Sequence, residues 1–394
     1  MARNPYRDGG RGKNPLLIAF LVILGIALVV ALGLIINYRV TQNRKEQEYI
    51  ASLQQKAAGG DAEERSLSAE VEAKMAQDSF YQLLADGYDA KLLIVGDGIG
   101  TGAGASTEDK QWGNVLKKSI EERYGVGVKV DNISMGDNTT YAGYARTLTL
   151  GADADYDLVI VCYGKSDDSK DMGLYYEALI RGIKTKLPTA NIMCIKESSE
   201  RNYPKKMESL QMVADHYGLP VVDTIAAFQE RYNDLVTEGE FPNDEGHKIY
   251  SETVMSVIDP LVAERRGFDA ADVDFLDREA ANFTAFQSLP LSQFTREGNA
   301  FTYAGPVHGI VLGIDYVLVP GENSCKILVD GQEFQTFANT HEKDYNQRHI
   351  MTVNKWQDGE AVNAENEIKV VFSDDESGKA QADGFKGLFM SWPE

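Results

Sequence analysis

A hydroxyl beside an imidazole that is itself held by a carboxylate is a small constellation able to attack an acyl carbon. The candidate imidazoles are His216, His247, His308, His341 and His349, and His247 follows Asp244 in D-x-x-H spacing within Asp244-Glu245-Gly246-His247. Candidate hydroxyls are Thr101, Ser106 and Thr107, in a loop where Gly96, Gly98, Gly100, Gly102 and Gly104 alternate with other residues. A nucleophile must stand within about 3 Å of its base, and nothing in the spacing fixes one of these hydroxyls beside an imidazole, so loop polarity explains them more simply. The glycines do not form a phosphate cradle, because no P-loop lysine and Ser/Thr follow and the spacing is not G-x-G-x-x-G into a helix. His216 closes an amphipathic pattern, and the histidines do not have metal-ligand spacing. No metal and no cofactor is implied. Cys162 and Cys194 lie inside apolar runs and read as small core residues, and with Cys325 they make an odd count that gives no disulfide framework.

The elements that must position such groups are legible from periodicity. Apolar runs of strand length, Leu92 to Val95, Val128 to Val130, Leu158 to Val161, Ile192 to Ile195 and Leu219 to Val222, alternate with helical patterns at Trp112 to Glu122, Leu174 to Lys186 and Tyr203 to His216. Strands too apolar to alternate in and out, separated by helices, predict a parallel sheet covered on both faces. A closing helix is expected from about Glu245 to Ala263, with Asn243 as its cap and Asp244 and Glu245 in an acidic first turn. In such a sheet the ligand site lies beyond the carboxyl ends of the strands, in the loops after Val95, Val130, Val161 and Val222.

Those loops carry a resemblance. Leu92-Leu-Ile-Val-Gly-Asp-Gly98 resembles the strand and G-D-S turn that opens the SGNH (GDSL-type) hydrolases, with Gly98 where the family has its serine nucleophile. Asn132-Ile-Ser-Met-Gly136 resembles the second block, whose glycine offers a backbone N–H to the oxyanion, and Gly164-Lys165-Ser166-Asp167 resembles G-x-N-D with Ser166 at the asparagine. The last block, D-G-x-H-P-N in the family, reads Glu238-Gly239-Glu240-Phe241-Pro242-Asn243, so that Glu238 replaces the aspartate and Phe241 the histidine. The resemblance covers roughly 80–262 and implies an esterase-like fold, flavodoxin-like in its layering, whose nucleophile and base are both missing. Gly98, Gly136 and Ser166 are then the remaining oxyanion or ligand-binding donors. The rival register uses His247 as base, one helical turn or about 5 Å further on; otherwise that histidine is solvated or capping.

After Arg266 the pattern shifts to short alternating stretches, Ala300 to Tyr303, Gly309 to Gly313, Lys326 to Val329, Ile350 to Val353 and Ile368 to Phe372. Pro320-Gly321, Asp330-Gly331 and Asp358-Gly359 separate them. This predicts a small antiparallel β-sandwich. Such a module can bind carbohydrate or pack on its neighbour, and Tyr345, Trp356 and Trp392 read as core more readily than as a sugar platform.

The organisation expected is a cytoplasmic N-terminus over 1–15, a transmembrane anchor over 16–37, a polar helical stalk over 38–79, the SGNH-like domain over 80–266 and the β-sandwich over 267–394. Leu16 to Ile36 is an uncharged apolar run of about 21 residues, enough to cross a core of roughly 30 Å and too long for a signal peptide. Arg3, Arg7, Arg11 and Lys13 precede it, which points to an inside N-terminus with the globular part extracellular. Apolar residues in the stalk hold no sustained heptad. A net charge of -21 repels nucleic acid and anionic lipid, and favours a neutral partner such as cell-surface glycan. Two functions follow: a membrane-tethered pseudo-esterase that binds acylated glycan, or an active carbohydrate esterase or acyltransferase that pairs a relocated nucleophile with His247.

Overall fold

The structure is a computed structural model in which residues 78–343 and 345–394 are described. The anchor expected over 16–37 and nearly all of the stalk lie outside them. Among the described residues, no helix is long and apolar enough to cross a membrane.

The predicted parallel sheet is present. Its strands are β1 (Ala90–Gly96), β2 (Val128–Asn132), β3 (Leu158–Cys162), β4 (Asn191–Lys196) and β5 (Val221–Asp223), in spatial order β2-β1-β3-β4-β5 and parallel throughout. Side chains alternate along each strand, and both faces are buried. Leu93, Val95, Val159, Val161, Ile192 and Cys194 point to one face, under helices α3 (Thr140–Leu148), α4 (Met172–Lys186) and α5 (Pro204–Tyr217). Leu92, Ile94, Leu158, Ile160, Met193 and Ile195 point to the other, under α1 (Phe80–Asp86), α2 (Trp112–Tyr124) and α6 (Asp244–Ala263). Burial on both faces is why these strands read as continuous apolar runs. Each fully buried aliphatic side chain contributes about 1.5–3 kcal/mol.

Helix α3 has no counterpart in the periodicity of the sequence. Seven of its residues, from Thr140 to Thr147, are buried, so it lacks the wide solvated face by which the longer helices are read. It lies between the sheet and the following unit: Tyr144 donates to the Phe283 carbonyl at 2.9 Å, and a Cβ on Gly313 would meet the Tyr141 hydroxyl at 2.2 Å. Helix α6 begins as predicted, with the Asn243 side chain accepting from the Gly246 N–H at 3.0 Å.

The C-terminal unit is antiparallel. One sheet has β6 (Ala285–Pro290), β10 (Val311–Leu318), β13 (Gln347–Val353) and β16 (Gly387–Trp392), in the order β13-β10-β16-β6. The other has β7 (Thr295–Glu297), β8 (Ala300–Ala304), β11 (Gly321–Val329), β12 (Gln332–His341) and β15 (Glu367–Phe372), in the order β12-β11-β15-β8-β7. A ribbon of β9 (Val307–Gly309) and β14 (Val362–Ala364) accompanies them. Asp330 and Gly331, with φ of 49° and 78°, form the tight turn between β11 and β12. Asp358-Gly359 is not a strand-to-strand turn: it ends the short 3-10 helix Asn354–Asp358, and Gly359 takes the left-handed cap at φ 81°. Val311, Ile350, Trp356 and Phe389 enter the same core as α3 and α4, so the β-sandwich shares a core with the α/β layer. The module thus packs on its neighbour, and Trp356 is buried as expected, edge-on to Phe283 at 6.0 Å.

Candidate active site

Strand β1 ends in the Gly96-Asp97-Gly98 turn, and Gly96 is required there because a Cβ would lie 2.4 Å from the Cys162 carbonyl oxygen of β3. Asp97 is fully buried; its carboxylate accepts from the Ile99 N–H at 3.0 Å and from the Lys165 N–H at 3.1 Å, tying the first loop to the third. Glu197, also buried, accepts from the same Lys165 N–H at 2.9 Å and from the Cys162 thiol at 3.2 Å. Burial pushes the Asp97 carboxyl up to about 6 and the Glu197 carboxyl well above the usual range, with the two hydrogen-bonded to each other. Glu197 holds the proton of this pair. Asp97 is thus a turn holder.

A Cβ built on Gly98 would lie 2.7 Å from Cε1 and 3.2 Å from Cζ of Phe241. The two positions assigned to nucleophile and base are therefore in direct contact, although they are 143 residues apart in sequence. Phe241 is brought there by a tight hairpin in which Thr237 N–H donates to its carbonyl at 2.8 Å, Val236 bridges Pro242, and Glu240 takes φ 60°. The ring fills the space in which a serine side chain would stand. Lys165 places its ammonium 5.0 Å from the Phe241 ring centroid, which puts a positive charge at this site. Glu238 is exposed on the hairpin.

The chain after β2 runs on along β1, with Met135 N–H donating to the Gly96 carbonyl at 2.9 Å, and so brings Gly136 to the first loop. Asn138, buried, donates to the Gly136 carbonyl at 2.7 Å and to the Arg348 carbonyl at 2.8 Å, and accepts from Ile350 N–H at 2.9 Å. The second loop is thereby clamped to β13. Gln347 of β13 has its Oε1 3.4 Å from where a Cβ on Gly136 would be. Among the described residues, the N–H groups of Gly98 and Gly136 and the hydroxyl of Ser166 meet no acceptor. Next to Ser166, the buried Asp167 accepts from Thr140 N–H at 2.9 Å and from its hydroxyl at 2.8 Å, and burial pushes its carboxyl up to about 7.

His247 is neither solvated nor capping. It is buried; its Nδ1 accepts from the Trp112 N–H at 3.3 Å, and its Nε2 meets the Ala103 carbonyl at 3.1 Å, where it must donate. Burial pulls its pKa below the usual range. Both ring nitrogens are committed to backbone, so the ring offers no lone pair to a nucleophile. The loop hydroxyls are engaged as well: Thr101 donates to the Gly98 carbonyl at 2.7 Å, Ser106 to Asp244 at 2.8 Å, and Thr107 bonds Asp109. Among the described residues, no cluster of three His, Cys, Asp or Glu side chains is placed to hold a metal.

The roles of Lys165, Asn138, Gln347 and the Asp97–Glu197 pair emerge only in the folded chain. Lys165 adjoins Ser166 and is within reach of the motif, whereas Gln347 arrives from about two hundred residues away and carries no local signal.

A five-stranded parallel sheet with its four turns converging at the strand ends defines an SGNH-type hydrolase domain. Residues 94–249 match the GDSL-like lipase/acylhydrolase family model, and the α/β layer has the SGNH/GDSL-type fold. A two-domain esterase (CEX) active on acetylated mannans, co-crystallised with mannopentaose, is similar at TM-score 0.65 and 16% identity over 81% of this chain and 97% of that one. A lipolytic G-D-S-L family protein from Veillonella parvula DSM 2008 aligns at 18% identity over 42% of this chain and 97% of its own, with TM-score 0.35. The likeness to CEX takes in both globular units. No curated protein matches the sequence.

Proposed function

We propose that this chain is a membrane-anchored, extracytoplasmic pseudo-esterase that binds acylated glycan without cleaving it. One observation carries this reading. The nucleophile and base positions, Gly98 and Phe241, are in mutual contact distance yet supply neither a hydroxyl nor an imidazole, while the Gly98 and Gly136 N–H groups and the Ser166 hydroxyl are uncommitted. Donors of this kind bind a carbonyl oxygen whether or not attack follows. Loss of a single triad member already leaves only the weak acceleration of binding and oxyanion stabilisation. The similarity to CEX, an esterase active on acetylated mannans, supports an acetyl ester on a neutral polysaccharide as the ligand class. The anchor rests on the apolar run Leu16 to Ile36 and the preceding basic residues, with the globular part outside the cell.

A fluorophosphonate serine probe and an acetylated manno-oligosaccharide, each applied to the full-length chain, test the proposal. We expect no covalent labelling, and binding that weakens when the acetyl groups are removed. Stoichiometric labelling would sink it. So would indifference to acetylation.

A further inference from the structure

The ribbon β9–β14 lies directly on β16. Ile310 N–H donates to the Ser391 carbonyl at 2.9 Å, and a Cβ on Gly309 would sit 2.4 Å from Met390 Cε, so no side chain fits between ribbon and strand. Where the ribbon passes the ends of β6 and β16, a groove of about 540 Å³ opens, within the roughly 300–1,000 Å³ of small-ligand sites. Trp392 lines it together with Pro393 and Pro306, its indole half-buried and packed in part against the sandwich core. Asn363 and His308 face each other directly across the ribbon, and Gln287 comes from β6; all three are exposed. Directly opposed residues on paired strands project to the same face.

Two features define what this groove takes. First, its lining contains no Asp, Glu, Lys or Arg, in a chain where 25% of residues are charged. Such a lining gives no advantage to an ion. Second, two amides and an imidazole supply both donors and acceptors beside an indole, and among the described residues none of these three side chains hydrogen-bonds within the protein. An indole has a flat apolar face with a polar edge. A pyranose matches that combination, with an apolar C–H face to lay on the ring and equatorial hydroxyls that both give and accept hydrogen bonds. We infer that this groove is a second carbohydrate site, sharing no lining residue with the Gly98 cleft, that binds a neutral oligosaccharide through Trp392, Asn363, His308 and Gln287. The groove's role is independent of the reading of the cleft, because it needs no acyl group.

The chain has three tryptophans, and Trp112 and Trp356 are buried, so a ligand that covers Trp392 reports itself in the indole emission. The test titrates the full-length chain with unacetylated mannopentaose, xylopentaose and cellopentaose, following emission and, in parallel, the heat of binding. At least one pentasaccharide is expected to shift the emission saturably, without dependence on salt. Trp392→Ala removes both signals, Asn363→Ala and His308→Ala each weaken binding about tenfold, and Phe241→Ala in the cleft leaves it unchanged. The latter two groove substitutions remove exposed, unbonded side chains and keep the fold. Absence of binding by all three sugars at tens of millimolar overturns the inference, as does binding that survives Trp392→Ala.

Discussion

At the residue scale the question is what Gly98 and Phe241 do to each other. A serine at Gly98 would place its Cβ 2.7 Å from the Phe241 ring, and overpacking of this kind costs about 1–3 kcal/mol. Gly98→Ser alone is therefore expected to lower stability in urea unfolding without creating activity. Gly98→Ser with Phe241→His is expected to recover most of that loss, because the smaller ring yields room, and a strictly additive pair would refute the contact. Removing His247 tests the competing base. His247→Ala strands the Trp112 N–H and the Ala103 carbonyl in the interior, and each buried unpaired group costs about 1–3 kcal/mol. Unfolding should shift accordingly while ester turnover stays at background; loss of a measurable turnover would reinstate His247 as a base. The four loops and their degenerate positions are legible in the sequence because they sit on a fixed strand-turn pattern. The environment of His247 is not, since one turn of helix tells nothing of the 98–104 loop and the α2 N-terminus that close around it.

At the scale of elements, apolar runs such as Leu158 to Val161 and Ile192 to Ile195 announce the parallel sheet because burial on both faces leaves them no polar positions. The same completeness of burial hides α3, a nine-residue helix in which Ala142, Ala145, Arg146 and Leu148 are offset by Thr, Tyr and Gly, and which is too short to hold without tertiary contacts. The acids under the strand ends have a further consequence. Asp97 near 6, Asp167 near 7 and Glu197, raised well above the usual range by burial, keep protons in the folded chain that the unfolded chain releases at about 4. The folded state thus binds more protons between those limits, so this contribution is full below about 4 and is lost as pH rises through 6 and 7. His247 and His349, depressed by burial, act in the opposite sense and lose stability on acidification. Glu197→Gln separates the two effects: it keeps the bond to Lys165 N–H and removes one titrating acid. The loss of Tm between pH 5 and pH 8 should be smaller in this variant than in the parent by a few degrees, about 1 kcal/mol. Identical pH slopes would contradict the shared-proton assignment.

At the scale of the molecule, the β-sandwich is built into the site. Asn138 joins the Gly136 loop to Arg348 and Ile350 of β13, and Gln347 stands at the Gly136 position, so the C-terminal unit holds and flanks the second loop. Asn138→Ala should cost roughly 1–3 kcal/mol and weaken binding of an acetylated oligosaccharide with no change in the Trp392 groove; calorimetric unfolding and titration together check this, and intact cleft binding would show that the clamp is structural only. The central claim is recognition without turnover. It is tested most directly by measuring acetate released from acetylated mannan by the full-length chain, beside the variant carrying Gly98→Ser, Ser166→Asn, Glu238→Asp and Phe241→His. The parent is expected to release none above background even at saturating ligand. Release at an ordinary enzymatic rate of about 1 s⁻¹ or faster, abolished by His247→Ala, would contradict it.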